Sequence, residues 1–188
     1  MIKVSETFLA GVKVIEPDLF GDNRGFFMES YNDKQLKEQG IDIQFVQDNQ
    51  SLSSEPGIIR GLHYQLNPKS QTKLLRVLTG AILDVVVDIR KSSPTFGKWG
   101  GFILSDYNHR QLLIPKGFAH GFCTLTPDVN VFYKVDEYYA PEQERGIIWN
   151  DPDIGINWPV SDPILSEKDQ HYPLLKDAEI NFVVGDAK

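Results

Sequence analysis

The stretch IIRGLHYQLNPKSQTKLLRVLTGAILDVVVD, residues 58–88, decides how the rest of the chain is read. It opens on Arg60, Gly61, Leu62, His63, Tyr64 and Gln65, turns through Asn67-Pro68-Lys69-Ser70, and returns on a β-like run carrying Lys73 and Arg76. From Ala81 the alternation is regular. Ala81, Leu83, Val85, Val87 and Ile89 share one face, while Asp84, Asp88 and Arg90 share the other. An imidazole, an amine and two guanidinium groups thus stand among strand residues, where apolar or neutral side chains are the rule. A single such charge would decorate the solvent face of an antiparallel sheet. Four around one hairpin, flanked by apolar residues, point to a site in a sheet interior.

Arg60 and His63 fall on opposite faces of a regular strand. Gly61 lies between them, where a β-bulge would turn both to one face; the sequence leaves the two registers open.

Outward from this stretch, the chain breaks into short β-type segments with turn signals between them, the spacing of an all-β sandwich or barrel. A first strand is expected over 12–15. The turn Gly21-Asp22-Asn23-Arg24-Gly25 precedes a β run over 26–31. Arg24 there is either solvated, which the local sequence favours, or gripping a phosphate. Residues 32–39 read as a short polar surface helix, capped by Asn32 or Asp33 and stopped at Gly40. Residues 41–50 alternate again, with Ile43, Phe45, Gln47 and Asn49 on one face. That face passes from apolar to amide, as a strand does on leaving a core for a polar pocket or for solvent. Residues 51–57 read as a loop.

Residues 131–139 read as one long strand with Tyr133, Val135, Glu137 and Tyr139 on one face, which sets the two tyrosines roughly 20 Å apart. Residues 141–163 are irregular. Ser166-Glu167-Lys168-Asp169 has the form of a capping box, in which Asp169 would bond backbone amides near Ser166.

With 188 residues, 41% of them hydrophobic, the chain can build one domain over residues 1–188 with a substantial core. A net charge of −7 argues against binding nucleic acid through general electrostatics, yet leaves room for a small anionic ligand held by a few arginines. The lone Cys123 rules out an internal disulfide and sits in an apolar run that predicts burial. No signal pattern and no run of membrane-span length occur, so a soluble cytoplasmic protein is expected, with neither nucleic acid nor membrane as partner.

Pro115, Gly117 and His120, in the spacing PxGxxH, resemble the second motif of the cupin family of small β-barrels. In metal-binding cupins the first motif carries HxH and a carboxylate; here it reads His63-Tyr64-Gln65. A catalytic zinc or iron takes about three protein ligands. His63 and His120 fall short, so a cupin-like barrel without the metal is expected.

The runs FGDNRGFF, VQDN, GLHYQ, IPKGFAHGF, WNDPDIGINWP and LSEKD occur in this order, within residues 12–175. Together they resemble the dTDP-4-dehydrorhamnose 3,5-epimerase family. The resemblance implies a cupin-type jelly-roll β-barrel with a few short surface helices, and a homodimer formed by exchange of N-terminal strands, which join the partner's sheet. It implies inversion of two carbons of dTDP-4-dehydro-6-deoxy-D-glucose, giving dTDP-4-dehydro-L-rhamnose, with no cofactor.

By the same resemblance His63 is the general base, Tyr133 the general acid, Asp169 the partner of His63, and Lys73 faces the keto oxygen. Arg24, Arg60, Gln47, Asp48 and Asn49 would hold the nucleotide diphosphate and sugar. Glu29, His120, Glu144 and Lys168 match substrate-contacting positions, and Tyr139 the residue stacked on the thymine. Tyr64 departs from the phenylalanine of many relatives and touches none of this chemistry. A relative inverting one carbon, a ketoisomerase, and a non-catalytic sugar-binding jelly roll are the competing readings.

Overall fold

Period-two alternation folds here as antiparallel β structure, and the computed structural model describes residues 2–185. In chain order the first elements are β1 (Ile2–Glu6), β2 (Lys13–Pro17), β3 (Phe20–Asp22), β4 (Gly25–Phe27), α1 (Asp33–Glu38), β5 (Gln47–Ser53) and β6 (Ile59–Gln65). There follow β7 (Lys73–Thr79), β8 (Ala81–Asp88), β9 (Trp99–Ser105), β10 (Gln111–Ile114), β11 (Phe118–Thr124), β12 (Val129–Val135) and β13 (Glu144–Gly146). One sheet has six strands in the order β1-β2-β10-β7-β12-β5, and a second has five, β13-β6-β11-β8-β9. β3 and β4 form a separate hairpin. This is the two-sheet jelly roll of a cupin.

Three apolar layers explain the arrangement. Leu75, Val77, Leu112, Val129 and Val131 of the six-stranded sheet face Ile82, Val86, Leu104, Phe118 and Phe122 of the other, forming the interior. The outer face of the five-stranded sheet is covered by the C-terminal third. Leu62, Tyr64, Val85 and Val87 pack there under Ile147, Ile154, Trp158 and Phe182, with Cys123 buried among them. On the outer face of the larger sheet, Ile15, Leu74 and Leu113 pack with Leu36 of α1 and with Ile41. Both faces of β8 are therefore buried, which puts Asp84 and Asp88 in the interior.

The helix stands where the sequence places it. Asn32 Oδ1 accepts from the Gln35 amide at 3.1 Å, and Gly40, at φ +77°, ends the segment. Other expectations shift. β1 precedes the expected first strand and pairs with β2 inside this chain's own sheet, at its open edge. The ladder over 41–50 begins only at Gln47 and continues to Ser53, although alternating burial already starts at Ile41.

β4 stops at Phe27. β12 stops at Val135, where the Asp136 carboxylate takes the Thr72 amide at 2.6 Å in place of a backbone carbonyl; Tyr139 lies beyond the strand, and the 20 Å ruler with it. The run 58–88 is not one hairpin either: β6 and β7 belong to different sheets, joined by a crossing at residues 66–72. Arg76 shares the outer face with Leu74, its guanidinium 5.9 Å from the Phe132 ring, and does not line the interior.

Candidate active site

The two sheets enclose a cavity of about 470 Å³ at one end of the interior, of the size that takes a small-molecule ligand. Lys73 enters from β7 and Tyr133 from β12, at positions where the inward rows Val77-Leu75-Lys73 and Val129-Val131-Tyr133 turn from apolar to reactive. Arg60 and His63 enter from β6, and His120 from β11. Both β6 residues reach the cavity because the ladder slips between them: His120 pairs with His63, but Phe122 pairs with Arg60. Gly61 sits at this bulge with φ +125°, and a side chain there would meet the Gly121 Cα at 2.6 Å. Of the two registers open in the sequence, the bulged one is found.

The third wall is the turn carrying Ser166, Lys168 and Asp169. Asp169 Oδ1 lies 2.6 Å from His63 Nε2, and Oδ2 accepts from the Gly61 amide at 3.5 Å. Half of the capping box also forms, since Ser166 Oγ accepts the Asp169 amide at 3.2 Å. The backbone of Asp169 serves the turn while its side chain serves His63. Burial works to raise the Asp169 carboxyl, but hydrogen bonds from His63 and Ser166 and the histidine's charge hold it below the usual range. An ionised Asp169 accepts from Nε2–H and so fixes the ring orientation that leaves Nδ1 as the other ring nitrogen.

His120 has its own aspartate, Asp84 Oδ2, at 2.9 Å. Burial pulls this histidine down, against the raising pull of Asp84. Each imidazole is committed to one carboxylate, and among the described residues no group of three His, Cys, Asp or Glu is placed to hold a metal ion. Lys73 Nζ stands 5.9 Å from the Tyr133 ring centre. Burial pulls Lys73 down to about 8, with Asp84 and Glu144 working the other way; burial raises the Tyr133 phenol.

A cavity lined by a carboxylate-bound histidine, a softened ammonium and a protonated phenol is equipped to move protons next to a carbonyl. The model of the family described as dTDP-4-dehydrorhamnose 3,5-epimerase matches residues 6–177.

The chain belongs to the dTDP-4-dehydrorhamnose 3,5-epimerase family.

Among its relatives, the family member from Shigella flexneri is 52% identical over 179 residues, 95% of this chain and 98% of that one. The crystal structure of the Bacillus anthracis epimerase with TDP and PPi bound is 60% identical, with a TM-score of 0.91 over 93% of this chain and 99% of that one. The Legionella pneumophila structure, in complex with dTDP-4-keto-L-rhamnose, is 47% identical, with a TM-score of 0.90 over 94% of each chain.

Of the residues that resemblance to the 3,5-epimerases singles out, Arg60, His63, Lys73, His120, Tyr133, Lys168 and Asp169 line the one cavity. A polar chain runs outward from it. Lys168 Nζ meets Glu144 Oε2 at 2.5 Å, the Tyr139 hydroxyl donates to the same oxygen at 2.8 Å, and the Tyr139 amide donates to Gln47 at 3.2 Å. Gln47 in turn donates to Asn49, which stands opposite Tyr133 in the ladder.

Asp48 faces away, on the outer side of β5, where Lys134 reaches it at 2.9 Å. Arg24, exposed on the β3–β4 hairpin, pairs with Asp22. Glu29 accepts from Asn32 and Gln35 near the start of α1. None of these three lines the cavity. Among the residues that sequence reasoning passed over is Asp84, a carboxylate inside the apolar run AILDVVV, whose polarity was itself the signal.

Proposed function

We propose that this chain inverts carbons 3 and 5 of dTDP-4-dehydro-6-deoxy-D-glucose, giving dTDP-4-dehydro-L-rhamnose, with His63 as base and Tyr133 as acid. The carrying observation is that His63 and Tyr133 project from two facing sheets into one cavity, with Lys73 beside the phenol.

Both carbons flank the ketone at carbon 4, so their protons are acidic. His63 Nδ1 takes one proton, and the electron pair moves onto the carbonyl oxygen as an enolate. The Lys73 ammonium faces that oxyanion; a donor so placed contributes roughly a hundredfold to a thousandfold in rate. Tyr133 then returns a proton to the opposite face of the ring, and solvent reprotonates the phenolate and removes the proton from His63. A second round inverts the other carbon. Asp169 keeps His63 in the tautomer that this needs. Arg60 carries a fixed positive charge suited to a diphosphate, its own Nε held by Ser53 at 3.1 Å. Gln47, Asn49, Glu144, Tyr139 and Lys168 form the rim that receives the sugar and base, and His120 closes the floor.

The test is proton exchange: the keto-sugar nucleotide is followed by NMR in heavy water. Deuterium is expected at both carbons. Deuterium at one carbon would mark a single epimerase, and at neither a binding module.

We also propose a homodimer joined through the N-terminal segment. Phe20, Phe26 and Phe27 are more than half exposed on a hairpin that two strands alone hold weakly, and β1 offers an open edge to a second copy. Arg24 and Glu29 lie on this same segment, so their placement outside the cavity of one chain is what a site completed by the partner copy would require. An active monomer by ultracentrifugation would refute this assembly.

A further inference from the structure

Tyr172 lies three residues beyond Asp169, and nothing in the mechanism above uses it. Its ring meets His63 edge-on, at 5.6 Å between centres and 68° between planes. Lys168 Nζ lies 6.0 Å from the same ring. The ring is itself pinned. It rests on the bare backbone of Gly146, where an added Cβ would meet its Cε2 and Cζ at 2.5 Å. Gly146 is the residue of β13 that pairs with His63. Next in the chain, the Pro173 carbonyl accepts from the Ile148 amide at 2.9 Å. The Tyr172 hydroxyl is buried, with the Lys168 ammonium as a polar neighbour.

We propose that Tyr172 is a positioning residue, its ring the fixed wall that holds the His63 imidazole in line with Asp169 and backs Lys168. The bond to Asp169 restrains His63 at one nitrogen only, and rotation about that contact stays open. An aromatic edge on a second side closes it, in the T-shaped geometry such pairs prefer. Glycine at 146 is then a demand of the site rather than of the strand, since its backbone has no left-handed φ to justify it. The wall is the ring, and Tyr172→Phe keeps it while removing the oxygen.

This inference rests on His63 being the base, and the experiment separates the two. Steady-state rates and deuterium exchange are measured for Tyr172→Ala, Tyr172→Phe, Gly146→Ala and the double alanine variant. A reacting group misplaced by a fraction of an ångström costs about tenfold to a hundredfold, so Tyr172→Ala should lose that much in kcat, with KM little changed. Exchange at both carbons should slow in step, because one base serves both. Tyr172→Phe should restore kcat. Gly146→Ala should reproduce the loss by displacing the ring, yet add nothing once the ring is gone.

Wild-type kcat in a folded Tyr172→Ala protein overturns the inference. Should that variant fail to fold, wild-type kcat in Gly146→Ala overturns it equally, as does a Tyr172→Phe protein as slow as the alanine variant. His63→Ala distinguishes the levels: if it abolishes exchange while the ring variants keep full rate, only the positioning role falls. Exchange that survives His63→Ala defeats the reading beneath it.

Discussion

His63 and His120 face each other across the β6–β11 ladder, and each is bonded to an aspartate. The pairs differ in access and in origin. The His63 side chain keeps 30% of its surface exposed, and its Asp169 comes from an irregular turn far along the chain. The His120 side chain keeps 8%, Asp84 keeps none, and Asp84 comes from the adjacent strand. Asp84 Oδ1 is buried without a hydrogen-bond partner, and Asp84 raises the pKa of Lys73 against the effect of burial. A histidine–carboxylate pair is therefore not by itself a base. The His63 pair is the more open to the cavity, while His120 lines it with little exposed surface and the nearly sealed Asp84 acts on the charge of Lys73.

The largest expected effect separates the two histidines. His63→Ala should abolish deuterium exchange at both carbons and leave dTDP binding measurable by calorimetry, whereas His120→Asn should slow exchange without removing it. Equal loss in both variants would erase the distinction.

Next comes the ammonium that lines the same cavity. Lys73→Met should lower kcat roughly a hundredfold to a thousandfold, the cost of one oxyanion donor. The same ammonium sets a pH limit. With its proton held only to about 8, the positive charge is present below that pH and lost as pH rises through it, so kcat should fall on the alkaline side. Lys73→Arg should move that limb upward.

The smallest effect tests the sealed pair directly. Asp84 works to keep Lys73 protonated, so Asp84→Asn should shift the alkaline limb of the pH–rate profile to lower pH while exchange at both carbons persists. An unmoved limb would show that the sealed pair does not act on Lys73.

Much of this was legible in the chain because the information is local. Alternation gave the β class, the cap at Asn32 gave the helix, and Gly61 between Arg60 and His63 kept a bulge open as one of two registers. Strand partnership was not legible, because pairing depends on segments far apart in sequence. The Asn67-Pro68-Lys69-Ser70 turn has hairpin chemistry, yet it carries the chain between sheets, and Arg76 is left on the outer face.

Polarity also misled in one direction. Asp84 was visible as a charge in an apolar run, but its partner His120 lies 36 positions away. β1 escaped notice because Lys3, Ser5 and Glu6 make a polar edge strand with a weak apolar row. Asp48 was grouped with Gln47 and Asn49 by adjacency, although period two sends it to the opposite face. Asp169 was ambiguous because one residue enters both arrangements: its amide donates to Ser166, while its carboxylate turns to His63 and Gly61 instead of the amides near Ser166.

His63 and Tyr133 are proposed to work from opposite faces of one sugar, and Tyr133→Phe in heavy water separates the two faces. The variant keeps the ring and loses only the hydroxyl, so it should fold and bind dTDP. His63 can still form the enolate and hand a solvent-derived deuteron back to the face it came from. Deuterium should appear in recovered substrate, with little inverted product. Inversion of both carbons by Tyr133→Phe at near wild-type rate would contradict it and make the phenol a packing residue.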